Sequence, residues 1–181
     1  YIMGILNITP DSFSDGGMWN STEKAIKRAI EMVNQGADII DIGGQSTRPG
    51  YIKITAEEEL NRIYDTVKKL VNELNVPISV DTYYSEVAKE VLDLGVSIIN
   101  DVSGFESDMF KVVSNSDCGC IVMHSNQGDN IKEFFKCKKR ESINFGIDSR
   151  RLCFDPGIGF FKSYEENLNI LRNFDKICID D

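Results

Sequence analysis

The chain has 181 residues, of which 41% are hydrophobic and 27% charged, values ordinary for one folded domain with a sizeable core. Its net charge of −9 argues against nucleic acid or an anionic membrane surface as a partner. No apolar run approaches the roughly 20 residues that span a bilayer, and Asn7, Thr9 and Asp11 interrupt the start too early for a signal peptide.

In chain order, an apolar strand over Ile2–Asn7 is followed by a loop of turn residues, Thr9–Gly17. A helix starts at Asn20 or Ser21, with Ile26, Ala29, Ile30 and Val33 at helical spacing, and Gly36 ends it. Ala37–Ile42 is β-branched and nearly all apolar, as a strand buried on both faces should be. It delivers Asp41 and a Gly-Gly-Gln-Ser-Thr-Arg-Pro-Gly loop. Thr55 and Glu58 then form a capping box for a helix whose inner stripe is Leu60, Ile63, Val67, Leu70 and Leu74. Pro77 stops that helix. Further strands are expected at Ile78–Asp81, Ser97–Asp101, Cys118–His124 and Leu152–Asp155, with helices around Val87–Leu92, Met109–Val113, up to Phe145, and Glu165–Phe174. Lys176–Ile179 is a candidate seventh strand.

Strand then helix, repeated, predicts a parallel α/β architecture. A doubly wound sheet would gather its ligand groups at one switch point. Here every strand ends in a polar group: Asn7, Asp41, Asp81, Asn100, His124 and Asp155. That pattern favours a TIM-type (β/α)8 barrel, whose sites lie at the C-terminal ends of all strands. With six or seven strands of the eight, residues 1–181 read as a single barrel domain lacking its last strands.

Converging carboxylates repel one another, so the mouth should hold a cation or hydrogen-bond donors. Amide and carboxylate edges together match a flat nitrogen heterocycle. Glycine-flanked loops and Arg48 suit a phosphate-like anion. Taken singly, each Asp also reads as a cap and each Asn as a turn former. Five cysteines without a framework spacing point to buried free thiols in a reduced, cytoplasmic protein, and one histidine leaves no usual zinc set. The loops Thr9–Gly17 and Gln45–Gly50 lack apolar anchors and are expected to be the most mobile segments without ligand.

Ile2–Gly17 (IMGILNITPDSFSDGG) resembles the opening signature of the dihydropteroate synthases, and Gly36–Gly50 (GADIIDIGGQSTRPG) resembles their second signature. Val80-Asp81-Thr82, Ile99–Val102, Met123-His124 and Asp155–Phe160 follow in that family's order. The resemblance implies a (β/α)8 barrel that condenses 6-hydroxymethyl-7,8-dihydropterin diphosphate with p-aminobenzoate, releasing diphosphate, in a homodimer that is a sulfonamide target. It implies that Asp81, Asn100 and Asp155 hydrogen-bond the pterin and that Val102, Met123 and Phe160 line its pocket. Asn7 would bind Mg2+, Asp15 and Arg48 would join Asp81 as catalytic residues, and Thr47 would sit by the diphosphate. Phe13 and Pro49 would help form the p-aminobenzoate pocket. The family's strand-seven Lys and strand-eight Arg-x-His have no counterpart here. A non-catalytic pterin-binding homologue and a pterin-dependent methyltransferase share part of this pattern and stand as alternatives.

Overall fold

Six parallel strands carry the architecture, each followed by a helix: β1 (Met3–Asn7), β2 (Ile39–Gly43), β3 (Ile78–Asp81), β4 (Ile98–Asp101), β5 (Gly119–Met123) and β6 (Leu152–Asp155). The helices are α1 (Gly17–Asn34), α2 (Ala56–Glu73), α3 (Ser85–Asp93), α4 (Ser107–Val113), α5 (Ile131–Asn144), α6 (Tyr164–Arg172) and α7 (Phe174–Ile177). This computed structural model describes residues 1–9, 17–46, 52–125 and 130–179.

Strand order in the sheet equals strand order in the chain, β1-β2-β3-β4-β5-β6, with every pair parallel. A doubly wound sheet reverses direction once. No reversal occurs here, so the sheet is six successive units of a (β/α) barrel. Alternation sorts the side chains cleanly. Leu6, Ile40, Ile42, Val80, Ile99 and Val122 point outward and are buried against Ala29, Ile63, Val67, Leu70, Val87, Ala88 and Val91. Each such burial stabilises by roughly 1.5–3 kcal/mol. The opposite face carries Ile5, Asn7, Asp41, Asp81, Asn100, Met123, Cys153 and Asp155. Along this inner face Ile5 is 66% exposed and Cys153 is exposed, since β1 and β6 are the sheet's edges among the described residues.

The elements agree with the sequence pattern to within a few residues, with instructive exceptions. The first helix begins at Gly17 rather than at Asn20 or Ser21. Thr55 does cap α2, its hydroxyl accepting from the Glu58 N–H, but the Glu58 carboxylate pairs with Arg62. A full capping box appears instead at Ser163 and Glu166, opening α6. The expected seventh strand at Lys176–Ile179 is not one: Lys176 bonds back to Asn173 through both its N–H and its ammonium, and the segment closes into α7. Local turn bonds there satisfy what a ladder would have satisfied. Of the five thiols, all free, only Cys118 and Cys120 are buried; Cys137, Cys153 and Cys178 are exposed.

Phe161 adopts φ 49°, in the left-handed region, with 68% of its surface exposed. A bulky residue there costs roughly 1–3 kcal/mol, and the ring recovers little by packing. Phe161→Gly is expected to stabilise the fold by about 1 kcal/mol after its unfolded-chain entropy is counted. Denaturant midpoints would show this, with Phe161→Ala as the control that removes the ring and keeps the strain.

Candidate active site

The register aligns Asn7, Gly43, Asp81 and Asn100 in one row across β1 to β4, at the C-terminal edge of the sheet. Met123 and Asp155 pair across β5 and β6 two residues beyond the Ile121–Cys153 step of that row, on the same inner face. The turn after β4 adds half-buried Val102, and the loop after β6 adds half-buried Phe160. Gly43 is what lets the row close up. A Cβ built there would lie 3.3 Å from Asn7 Oδ1 and 3.8 Å from both Asp81 Cβ and Oδ2. Any side chain at 43 would therefore stand between the amide and the carboxylate.

One layer below, buried Asp41 accepts from Asn100 Nδ2 at 3.2 Å, and the second Asp41 oxygen has no hydrogen-bond partner among the described residues. The contact orients the Asn100 amide with its donor held and its oxygen available. Burial raises the Asp41 pKa, opposed by the neighbouring Ser79 hydroxyl and Asn100 amide. Asp81 is pushed well above the ordinary carboxylate range, first by burial and then by the charges of Asp41, Glu59 and Asp101. The mouth is thus short of positive charge, as the convergence of strand-end carboxylates implies.

Three supporting groups were not singled out as site residues by the sequence. Glu59 on α2 is 1% exposed, accepts from Thr82 Oγ1 at 2.5 Å, and has its pKa raised to about 7 by burial. Asp101, fully buried, accepts from the Ser103 N–H at 2.7 Å and the Phe105 N–H at 3.2 Å, shaping the turn that carries Val102. Lys162 donates to the carbonyls of His124 (2.9 Å), Gly157 (3.0 Å) and Phe160 (3.1 Å), tying the loop after β6 to the end of β5. That close approach needs Gly157, at φ 66°, because a Cβ would collide with the His124 carbonyl. A lone cation in the Gly-Ile-Gly-Phe-Phe-Lys loop was the available signal for this staple. Asp155 itself accepts from the Gly157 N–H at 2.8 Å.

Gln45 is buried, not loose: its Oε1 accepts from the Ile54 N–H at 2.8 Å and its Nε2 donates to Tyr83 Oη. Tyr84 Oη donates to the Ile54 carbonyl, so both stems of this loop are clamped. Residues 10–16 and 47–50 of the two loops expected to be mobile, Phe13, Asp15, Thr47, Arg48 and Pro49 among them, lie outside the described residues. The structure therefore brings together Asn7, Asp81, Asn100, Val102, Met123, Asp155 and Phe160, all at one end of the sheet.

Among the described residues no group of three or more His, Cys, Asp or Glu side chains is arranged to hold a metal. Exposed Asn7 offers a single hard amide oxygen at the rim. That donor suits Mg2+, which prefers oxygen ligands, keeps several waters and takes much of its coordination from substrate phosphates. No described helix is long and apolar enough to cross a membrane.

Residues 3–180 match the family model described as pterin binding enzyme. The dihydropteroate synthase of Clostridium beijerinckii is 42% identical over 98% of this chain, which covers 69% of that protein. Among solved structures, the dihydropteroate synthase of Clostridium difficile, crystallised with pteroic acid, superposes with a TM-score of 0.93 at 45% identity, over 98% of this chain and 71% of that one. The Xanthomonas albilineans enzyme, solved with 4-aminobenzoic acid, gives a TM-score of 0.91 at 36% identity, over 98% and 68%. These relatives share the TIM-type barrel, of which the six strands here form the larger part. With its fold, its strand-end residues and this similarity in agreement, the chain belongs to the pterin-binding enzyme family and, within it, to the dihydropteroate synthases.

Proposed function

We propose that residues 1–181 form the greater part of a barrel that joins 6-hydroxymethyl-7,8-dihydropterin diphosphate to p-aminobenzoate, giving 7,8-dihydropteroate and diphosphate. The observation that carries this reading is the inner-face cluster of Asp81, Asn100 and Asp155, with Met123 beside Asp155 at the same end of the sheet. Its acceptors suit the N–H edge of a pterin, and its surplus negative charge suits an electron-poor ring. The pteroic acid of the Clostridium difficile relative is the oxidised form of such a product, and the 4-aminobenzoic acid of the Xanthomonas albilineans relative is its aniline half.

In this reaction the methylene C–O bond breaks and its electron pair leaves with the diphosphate. The resulting cation is spread over the pterin, and Asp81 stabilises it. The aniline nitrogen then attacks the methylene, forms the C–N bond and sheds a proton. Asn100, oriented by Asp41, and Asp155, held by the loop that Lys162 staples, fix the ring. Asn7 would hold Mg2+ beside the diphosphate, and Mg2+ would offset the charge of the leaving group. Thr47, Arg48 and Asp15 are assigned to the diphosphate side, and Phe13 and Pro49 to the aniline. A homodimer in the cytoplasm completes the proposal; five free thiols suit a reducing compartment.

The test is product formation by the full-length polypeptide with both substrates and Mg2+. Dihydropteroate should appear with equimolar diphosphate; pterin binding without turnover would identify a non-catalytic homologue. Binding should also be ordered. Phe13 and Pro49 are assigned to the aniline beside the groups assigned to the diphosphate, so bound diphosphate with Mg2+ is expected to help form that pocket. Calorimetric titration of p-aminobenzoate should therefore give at least tenfold tighter binding when pterin, Mg2+ and diphosphate are present. Equal affinity in both titrations would mean a preformed pocket.

A further inference from the structure

The end of β5 remote from Met123 holds a cluster that the proposed reaction does not use. Cys118 lies in the turn before the strand and Cys120 two residues on, so both thiols face the same side of an extended segment. The Ser116 hydroxyl has two acceptors in reach, the Val113 carbonyl at 3.1 Å and Cys118 Sγ at 3.2 Å, and the Cys118 N–H reaches back to Ser116 Oγ at 3.4 Å. Arg151, just before β6, donates from Nε to the Cys118 carbonyl and from Nη2 to the Val113 carbonyl, each at 2.8 Å. These two bonds hold its guanidinium 3.8 Å from Cys118 Sγ. The Cys120 thiol donates to the Cys118 carbonyl at 3.9 Å, which keeps its sulfur beside Cys118.

We infer that Cys118 and Cys120 form a redox-active dithiol in which Cys118 reacts with a small peroxide and Cys120 resolves the product to a disulfide. Three features of the geometry support this. The Ser116 hydroxyl and the Arg151 guanidinium are both placed to donate toward the Cys118 sulfur, which stabilises its thiolate. Cys118 keeps 5% of its surface exposed and Cys120 1%, so Cys118 is the sulfur that a small reagent meets first. Extended backbone sets Cα atoms two residues apart at about 6.6 Å, the upper end of the disulfide range, and Gly119 between them, held in the sheet beside Ile98, puts no side chain in the way. A bridge at that limit is strained and reducible, a switch rather than a structural link.

The chemistry balances with peroxide as oxidant. The Cys118 thiolate attacks one peroxide oxygen, the O–O bond breaks, and hydroxide or alkoxide leaves as the sulfur becomes a sulfenic acid. Cys120 gives its proton toward the leaving oxygen and attacks that sulfur, the S–S bond forms, and water departs. A small thiol reduces the bridge. The groups around Cys118 lower its pKa to about 6, and the adjacent Cys118 side chain together with burial pushes Cys120 far up, which divides the roles of attacking and resolving sulfur.

Peroxide titration of the reduced full-length protein, read by peptide mapping, tests the inference. A Cys118–Cys120 bridge should form at lower peroxide than any oxidation of exposed Cys137 or Cys178, and dimedone should trap a sulfenic acid at Cys118 in the Cys120→Ser variant. Alkylation of Cys118 in the folded protein should have a pH midpoint about 6, rising to about 8.5 once the chain is unfolded in urea. The second measurement needs no variant, so a misfolded mutant cannot obscure the answer. Cys118 oxidising last, no bridge, or a midpoint unmoved by unfolding would each overturn the inference.

Discussion

Replacing Asp81 by Asn in the full-length protein is expected to lower kcat about a thousandfold while weakening pterin affinity by far less. The amide keeps the size and one acceptor of the carboxylate, so the ring still docks against Asn100 and Asp155. What it loses is the charge facing the methylene cation. One charge pair at ~4 Å in a surrounding of effective dielectric about 20 is worth ~4 kcal/mol, and that is about three decades of rate. The surroundings of Asp81 add a second signature. Burial, Asp41, Glu59 and Asp101 all raise its pKa, so kcat/KM of the wild type should fall on the acidic side as the carboxylate takes up a proton. The Asn variant should lack that acidic limb. Turnover and calorimetric pterin binding on one preparation decide the matter: an unchanged kcat, or an affinity loss equal to the rate loss, removes Asp81 from the role of cation stabiliser.

How much of this was legible beforehand follows from which forces act locally. Asp81 and Asn100 follow short runs rich in Ile and Val, and Asp155 follows Leu-Cys-Phe, so their place at strand ends was readable from apolar patterning alone. Glu59 was hidden because it sits in Ala-Glu-Glu-Glu-Leu, which looks like the solvated, acidic first turn of a helix. Its burial is decided by the chain after β2 and β3 folding over α2: a Cβ on Gly44 would come within 2.9 Å of Glu59 Cγ. That is tertiary information. Asp101 was hidden for the opposite reason, as its neighbour Asn100 took the inward position and left it facing the turn. Gln45 reads as a loop residue among glycines, and only the distant Tyr83 makes it a clamp. The thiols erred the same way: Cys153 lies in a strand, but on the inner face, where burial depends on what crosses the barrel axis.

Glu59→Gln is expected to stabilise the protein at pH 8 by up to about 3 kcal/mol and to leave it almost unchanged near pH 4.5. The folded protein raises the Glu59 pKa from 4.5 to about 7, so the native state holds this proton more tightly than the unfolded chain does. A raised carboxylate contributes its stability fully below 4.5, and that stability is lost as pH rises through 7. Each tenfold change in proton affinity is worth about 1.4 kcal/mol, which sets the upper figure, and near-complete burial leaves little solvent to screen it. Glutamine still accepts from Thr82 Oγ1, so the hydrogen bond survives while the buried charge is gone. Asp41, Asp81 and Asp101 are raised too and give the wild type the same sign of pH dependence, but the difference between variant and wild type cancels their share, apart from the part of the Asp81 shift that Glu59 itself causes. Urea unfolding at a series of pH values from 4.5 to 8 would trace that difference; a flat line, or a variant weaker at pH 8, would show that Glu59 is ionised at little cost. The same substitution reaches the active site. Glu59 is one of the charges that raise Asp81, so removing it should move the acidic limb of kcat/KM to lower pH without lowering the plateau. A buried carboxylate behind β3 would then be tuning the group that faces the pterin, and its retention at a cost in stability would have a chemical reason.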